Sequence, residues 1–109
     1  AVDGAGSIYV LGSDAVYKLD SNGRYINRFG SQGDGEDQFR GSVTSLAVDG
    51  QGRVYVCDFD GIKVFDGDGR YLATIPFNGV AFDMLVTPQN QLLVMDRNGN
   101  QVLTYELSR

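Results

Sequence analysis

The chain has 109 residues, of which 42% are hydrophobic and 11% aromatic, the composition of one small globular domain rather than of a disordered segment. Nine basic residues stand singly among 14 acidic ones, so the clustered cations that nucleic-acid binding requires are missing. No apolar run approaches the roughly 20 residues of a membrane-spanning helix. Composition therefore predicts a soluble chain that neither binds nucleic acid nor inserts directly into a membrane.

The first part of the chain predicts three short strands, at 7–11, 15–19 and 24–29, after an opening strand that is cut short at residue 1. Each is a run rich in Val, Ile, Leu and Tyr bounded by Gly, Asn, Asp or Ser, the pattern typical of strands joined by tight turns. The chain begins in mid-phrase with no Met and no charged and apolar leader, so we expect a processed or longer protein without a signal peptide here.

The longest connection follows, at 30–41, and it is rich in carboxylates. Asp34, Glu36 and Asp37 offer oxygen atoms to a calcium ion or a partner, because long loops carry function more often than short ones. An ordinary linker between two sheets explains the same residues. We interpret the loop as a linker and name the three carboxylates as candidate partner contacts, with no complete metal site.

The middle of the chain predicts four strands, at 43–48, 53–57, 61–66 and 70–76, joined by the turns DGQG, DFDG and DGDG. Cys57 is the only cysteine and lies in the apolar strand VYVC, so we expect a buried free thiol. Phe59 lies inside a turn, where a large apolar side chain is costly in water. It is therefore a candidate partner contact. The last part predicts strands at 80–86, 91–95 and 101–106, and no helix is expected anywhere.

The sequence repeats itself. AVDGAGSIYV at 1–10 matches AVDGQGRVYV at 47–56, and VYKLDSNGRY at 16–25 matches IKVFDGDGRY at 62–71, both at an offset of 46. An eroded third copy, LVTP at 85–88, follows 38 residues later. A period of this length means that each unit is one supersecondary element that buries its faces by stacking on its neighbours.

The Asp and Gly residues of the repeated phrases are interpreted as turn residues. Asp side chains hydrogen-bond amides of their own turn, and glycine tolerates positive φ. Tyr25 and Tyr71 recur at matching positions, which favours packing between units. The turn residues are Asp3, Gly4, Asp20, Gly23, Asp49, Gly50, Gly52, Asp66 and Gly69.

Four short antiparallel strands repeated every 40 to 45 residues are typical of a β-propeller blade. The predicted fold is therefore all-β, an incomplete ring of four-stranded blades, with units at about 1–42, 43–79 and 80–109. A β-sandwich is the alternative, but it gives no reason for phrases to recur at fixed offsets.

The chain resembles the NHL-repeat family of β-propellers. The motifs that carry the resemblance are FGSQGDGEDQF at 29–39, SLAVD at 45–49, GRVYVCD at 52–58, IKVF at 62–65, DGDGRY at 66–71, VMD at 94–96 and NQVLTY at 100–105. Two departures stand out. The proline that usually precedes the SLAVD strand is replaced by Gly41-Ser42-Val43, and TPQN at 87–90 replaces the VDxxG turn.

The resemblance specifies the fold and leaves the activity open, because a propeller's function lies in variable loops. There is no histidine, which excludes a Ser-His-Asp triad and a histidine zinc site from these residues. We therefore expect no catalytic, cofactor or metal residue in this segment. The favoured function is a non-enzymatic scaffold or binding module for protein partners: the rest of the propeller, other copies or other subunits.

Two further interpretations stay open. One is a fragment of a propeller enzyme, of lactonase, hydrolase or lyase type, whose metal and catalytic residues lie outside this segment. The other is RNA binding, as in some animal NHL proteins, which requires a basic face that this segment lacks. Family analogy favours an extracytoplasmic bacterial setting.

Overall fold

The computed structural model describes residues 1–12, 15–33, 35, 38–40, 43, 45–58, 61–76, 81–96 and 101–107, with the backbone alone described at 81, 82, 96 and 101. Within these residues the chain has ten strands and no helix. The described residues therefore include no helix that is long and apolar enough to cross a membrane. The strands are β1 (Ile8–Leu11), β2 (Val16–Leu19), β3 (Tyr25–Phe29), β4 (Ser45–Val48), β5 (Val54–Cys57), β6 (Gly61–Phe65), β7 (Tyr71–Pro76), β8 (Ala81–Val86), β9 (Gln91–Asp96) and β10 (Gln101–Glu106).

The strands form three antiparallel sheets in which neighbours along the chain are neighbours in space. The first sheet has the order β1-β2-β3, the middle sheet β4-β5-β6-β7 and the third sheet β8-β9-β10. An isolated bridge between Val2 and Ile8 starts the first sheet, as the pair Val48 and Val54 does in the middle sheet. Strand β4 contacts β8, so the first strands of the last two sheets are adjacent. The all-β prediction is confirmed.

The repeat extends to irregularities of the backbone. The register shifts between Lys18 and Leu19 in the first sheet, and between Val64 and Phe65 at the matching position of the middle sheet. A bulge bends and twists the strand that contains it. The two sheets therefore bend at matching positions.

The middle sheet is covered on both faces, which explains why β5 and β6 are buried at every position. Strands covered on both faces are apolar throughout rather than alternating. Residues of one face, such as Val54 and Val56, pack toward the first sheet, and residues of the other, such as Tyr55 and Ile62, pack toward the third. Cys57 is buried and is not in a disulfide, as predicted.

Two cores separate the three sheets. The first core lies between the first and middle sheets and centres on Phe65, whose ring lies 5.1 Å from Phe29, 5.8 Å from Phe39 and 6.1 Å from Tyr71. The second core lies between the middle and third sheets and contains Ala47, Tyr55, Cys57, Ile62, Val64, Met84, Leu92 and Val94.

The connection between the first two sheets contributes to the first core. Phe39 is fully buried, and its backbone N–H donates to the Ser31 carbonyl at 2.7 Å. The next N–H, that of Arg40, donates to Asp58 Oδ2 at 2.8 Å. This connection therefore joins both sheets through a buried ring and a charge-assisted hydrogen bond.

Candidate interaction surface

Four aspartates hold four turns in the same way. Each accepts, on one carboxylate oxygen, the backbone N–H groups two and four residues further on, at 2.9 to 3.0 Å. They are Asp3, Asp20, Asp49 and Asp66. One oxygen of each carboxylate therefore stabilises its own turn.

Asp49 makes two further bonds, which tie its turn to the core. Its second oxygen accepts from the Tyr55 hydroxyl at 2.8 Å and from Arg53 Nε at 2.5 Å. Burial opposes ionisation of this carboxyl, but the hydrogen bonds from Tyr55 and Arg53 outweigh it and hold the pKa of Asp49 below its ordinary value. Burial, together with the Asp49 carboxylate, raises the pKa of Tyr55.

The predicted turn glycines fall into two groups. Gly23, Gly52 and Gly69 have φ of 84°, 81° and 91°, the left-handed region that disfavours other residues. An added Cβ at Gly4 or Gly50 would meet nothing within 4 Å, and neither residue has positive φ.

The divergent TPQN turn at 87–90 reproduces the same geometry with other residues. Asn90 has φ of 62° and stands 38 residues after Gly52, and the N–H of Gln91 donates to Thr87 Oγ1 at 3.2 Å. The Asn90 side chain donates to the Leu107 carbonyl at 2.8 Å. Asparagine enters the left-handed region more readily than most residues, so this turn survives without its glycine.

The sequence candidates for partner contact, Asp34, Glu36, Asp37 and Phe59, lie outside the described residues. The two recurring tyrosines differ. Tyr71 is half-buried against Phe65, whereas Tyr25 is 61% exposed. Tyr71 therefore packs between sheets as predicted, whereas no sheet among the described residues covers Tyr25, which pairs with Leu19 in the first sheet.

A groove of about 560 Å³ opens between the first and middle sheets. Lys18 crosses it: its Nζ donates to the Gly67 carbonyl at 2.6 Å and lies 5.6 Å from the centre of the Tyr9 ring. Burial, followed by the hydrogen bond to Asp3, raises the pKa of Tyr9 to about 12. The polar groups at this position therefore bind one another across the two sheets.

An apolar surface is exposed on the outward face of the third sheet. Leu85, Met95 and Val102 are 62%, 45% and 57% exposed, and together with Leu93 and the exposed Asp83 they line a groove of about 210 Å³. We call Leu85, Leu93, Met95 and Val102 the trailing face. Contiguous apolar surface of this kind marks an interaction site more often than chance exposure does.

Strand register relates the trailing face to the second core. Leu85 pairs with Leu93 as Ala47 pairs with Tyr55, and Val102 pairs with Met95 as Ile62 pairs with Cys57. All four residues of the middle sheet are buried against the third sheet. The trailing face therefore repeats, on the last sheet, the positions that the middle sheet buries against its neighbour.

The first sheet has the complementary outward surface. Ile8, Val10, Tyr17 and Leu19 occupy one side of it, since Ile8 pairs with Leu19 and Val10 with Tyr17. We call these four residues the leading face. At the matching positions of the middle sheet, Val54, Val56 and Phe65 are fully buried in the first core.

The described residues include no group of three or more His, Cys, Asp or Glu side chains arranged to hold a metal ion. No protein-family model matches the sequence, and no curated protein matches it.

Solved structures with the same fold are found at low sequence identity. Kuenenia stuttgartiensis hydrazine synthase is 14% identical over 94% of this chain and 33% of its own length, with a TM-score of 0.63. Streptogramin B lyase is 14% identical over 98% of this chain and 39% of its own, with a TM-score of 0.59. The Neurospora crassa Pan2 WD40 domain is 14% identical over 93% and 33%, with a TM-score of 0.56.

These neighbours are β-propeller proteins, and the chain has the fold of part of a β-propeller. It spans between 33% and 39% of the length of the structures that it resembles. At 14% identity the likeness shows the fold alone, because proteins of one fold carry different functional sites.

Proposed function

We propose that this chain is a non-enzymatic scaffold of the NHL-repeat type, whose three units at about 1–42, 43–79 and 80–109 bind further protein through sheet faces. The repeated phrases and the Asp turns support the NHL assignment, because the same residue types recur at an offset of 46. The trailing face is the single observation that carries the binding function.

The argument rests on what the same positions do one unit earlier. The middle sheet buries Ala47, Tyr55, Cys57 and Ile62 by placing the third sheet on them. Their counterparts on the trailing face are apolar; Leu85, Met95 and Val102 are exposed and Leu93 is half-buried. Covering these side chains removes apolar surface from water, which stabilises the contact by about 25 cal/mol per Å². A sheet that faces solvent lacks this stabilisation.

Oxidation of the two methionines tests whether the trailing face is covered. Met84 is 5% exposed and Met95 is 45% exposed, so in an uncovered sheet hydrogen peroxide should convert Met95 to its sulfoxide far faster than Met84. In the full-length protein in its native assembly we expect the two methionines to oxidise at similar, slow rates, measured by peptide mass spectrometry.

A Leu72→Met variant supplies the matched control, because Leu72 is 47% exposed on the outer strand of the middle sheet. A methionine there should react fast in every state of the protein. If Met95 reacts as fast as that reporter in the native assembly, the trailing face is open and the scaffold proposal is wrong.

The names of two solved neighbours, hydrazine synthase and streptogramin B lyase, keep an enzyme as the second candidate. In that case the metal and catalytic residues lie outside this segment, since these 109 residues include no histidine. Acidic residues, asparagines or histidines at matching strand starts in further blades would favour the enzyme.

A further inference from the structure

The turn between β2 and β3 contains the dipeptide Asn22-Gly23, which can react without an enzyme. We propose that Asn22 is a site of spontaneous deamidation, and that the hydrogen bonds of its own turn control the rate. The reaction adds one negative charge to the turn. The site lies inside the chain and is independent of what covers the outward sheet faces.

Deamidation proceeds through a succinimide ring. The backbone nitrogen of Gly23 loses its proton and attacks the side-chain carbonyl carbon of Asn22. The new N–C bond forms as the Cγ–Nδ2 bond of the asparagine breaks, and ammonia leaves. Water then opens the ring at either carbonyl and gives aspartate or isoaspartate. Glycine favours the attack because it has no side chain to crowd its nitrogen.

The position of the turn leaves Asn22 open to water. Residues 21–24 are all exposed, and an added Cβ at Gly23 would meet nothing within 4 Å among the described residues. The matching glycine of the middle sheet, Gly69, differs because an added Cβ would meet Phe29 Cβ at 2.7 Å. The first turn can therefore open without displacing a ring of the first core, whereas the matching turn cannot.

Three hydrogen bonds of the closed turn oppose the reaction. The Gly23 N–H donates to the Asp20 carbonyl at 3.0 Å, so the turn holds the nitrogen that must attack. Asp20 Oδ1 also accepts the N–H groups of Asn22 and Arg24 at 2.9 Å each, which fixes the backbone on both sides of the glycine. The ring forms only after these bonds open, so the fraction of molecules with an open turn sets the rate.

The aspartate product fits the turn, because the second unit already has an aspartate there. Asp68 stands 46 residues after Asn22. Its turn makes the same three hydrogen bonds, to the carboxylate and the carbonyl of Asp66, at 2.9 to 3.0 Å. Isoaspartate, in contrast, inserts a side-chain carbon into the backbone and changes the spacing of the amides that Asp20 binds. The turn is therefore kept with aspartate and lost with isoaspartate.

Peptide mass spectrometry during incubation in mildly alkaline buffer tests the proposal. The samples are the folded protein, its Asp20→Ala variant and a synthetic peptide of residues 17–28. Asn22 should deamidate at least about tenfold more slowly in the folded protein than in the peptide, because the turn must first open. Asp20→Ala should react about fivefold faster than the wild type, because it removes the acceptor of two of the three hydrogen bonds.

The matched control is Asp68→Asn, which places the same dipeptide in the second turn. Gly69 of that turn packs on Phe29, so the turn should open less often. Deamidation at position 68 should therefore be slower than at Asn22 within the same molecules. The Asn-Gly dipeptides at 78–79 and 98–99 lie outside the described residues and are followed as separate peptides.

Three results would overturn the inference. An Asn22 that reacts as fast in the folded protein as in the peptide shows that the turn does not control the rate. An Asn22 that stays intact in the folded protein and in Asp20→Ala, while the peptide reacts, removes the site. A faster reaction at position 68 than at Asn22 contradicts the difference in packing between the two turns.

A milder variant keeps the test decisive if circular dichroism shows Asp20→Ala unfolded. Asp20→Asn retains one acceptor oxygen without its charge, so its acceleration should be smaller than that expected for Asp20→Ala but still measurable. A rate equal to that of the wild type in this folded variant would contradict control by the turn.

Discussion

The two cores of this chain are built on one repeat, yet different residues fill them. The first core is aromatic, with Phe65 between the rings of Phe29, Phe39 and Tyr71. The second core is mainly aliphatic and sulfur-containing, and its largest side chain is Tyr55. The first interface also includes a charged side chain, Lys18, where the second has Val64 at the matching position. The repeat therefore determines the strand pairing and the turns, whereas the side chains that fill each interface differ.

The aromatic core should be the more sensitive of the two. Phe65→Ala removes the ring that three others contact and should lower the free energy of unfolding by about 4 kcal/mol, whereas Ile62→Ala in the second core should lower it by about 3 kcal/mol. Urea denaturation measures both. Tyr25→Ala, at a residue 61% exposed, is the control and should cost less than about 0.5 kcal/mol. A Phe65→Ala cost near that of Tyr25→Ala would contradict the role given to the first core.

The two classes of Asp turn sharpen the comparison. Asp20 and Asp49 make the same two backbone hydrogen bonds, but Asp49 also binds Tyr55 and Arg53. Asp20→Ala should lower the free energy of unfolding by about 1 kcal/mol and Asp49→Ala by about 3 kcal/mol, since the second leaves buried donors unpaired. Equal losses in the same urea experiment would show that the two extra bonds add nothing.

Acid should remove the contribution of Asp49. Its folded-state pKa is lowered, so its stabilisation is fully present above the unfolded-state pKa of about 3.9 and is lost as the pH falls through the folded-state value. The stability advantage of the wild type over Asp49→Asn should therefore shrink as the pH is lowered from 7 through about 4 toward 2. An advantage that stays constant in unfolding curves across this range would contradict the pKa direction.

Two turn glycines separate backbone strain from crowding. Gly52 and Gly69 both have positive φ, but an added Cβ meets nothing at Gly52 and meets Phe29 Cβ at 2.7 Å at Gly69. Gly52→Ala should cost about 1 kcal/mol from strain alone, and Gly69→Ala about 2.5 kcal/mol, because it also displaces a first-core ring. Gln51→Ala, at an exposed turn residue, should melt like the wild type. Equal melting temperatures for the two glycine variants would rule out the contact with Phe29.

A small effect on stability is expected at Lys18. Lys18→Met keeps the length of the side chain and removes the hydrogen bond to the Gly67 carbonyl and the contact with the Tyr9 ring, at a cost of about 1 kcal/mol. Differential scanning calorimetry at neutral pH measures the shift. A variant that is more stable than the wild type would show that the first interface prefers an apolar residue there, as the second does at Val64.

Local patterns predicted the strands and the Asp turns, because these depend on residues close in sequence. Asp20 and Asp66, for example, bind amides two and four residues away. The partners of Lys18 and Phe39 were not predicted, because each depends on how one sheet lies on another. Gly67, which accepts from Lys18, is 49 residues away. The turn at Asn90 was interpreted as a departure from the pattern, although asparagine supports the same left-handed backbone.

The trailing face was not predicted either, for a related reason. Leu92, Leu93, Val94 and Met95 are consecutive in β9, an apolar pattern that indicates a strand covered on both faces without identifying what covers it. Which side is covered depends on the stacking order of the sheets rather than on any one strand. The carboxylate loop and Phe59 are locally unusual in the sequence. The trailing face, in contrast, is defined by comparing the three sheets position by position.

The two unlike faces of the middle sheet have a consequence for how such a chain grows. One face, with Val54, Val56 and Phe65, fits an aromatic core, and the other, with Tyr55 and Ile62, fits an aliphatic one. A tandem duplication of the gene segment for this unit would set Tyr55 of one copy against Phe65 of the next. The first core already combines Phe65 with Tyr9, the counterpart of Tyr55 at the offset of 46. Lengthening the array by one such unit would therefore repeat a combination of rings that the fold already accommodates.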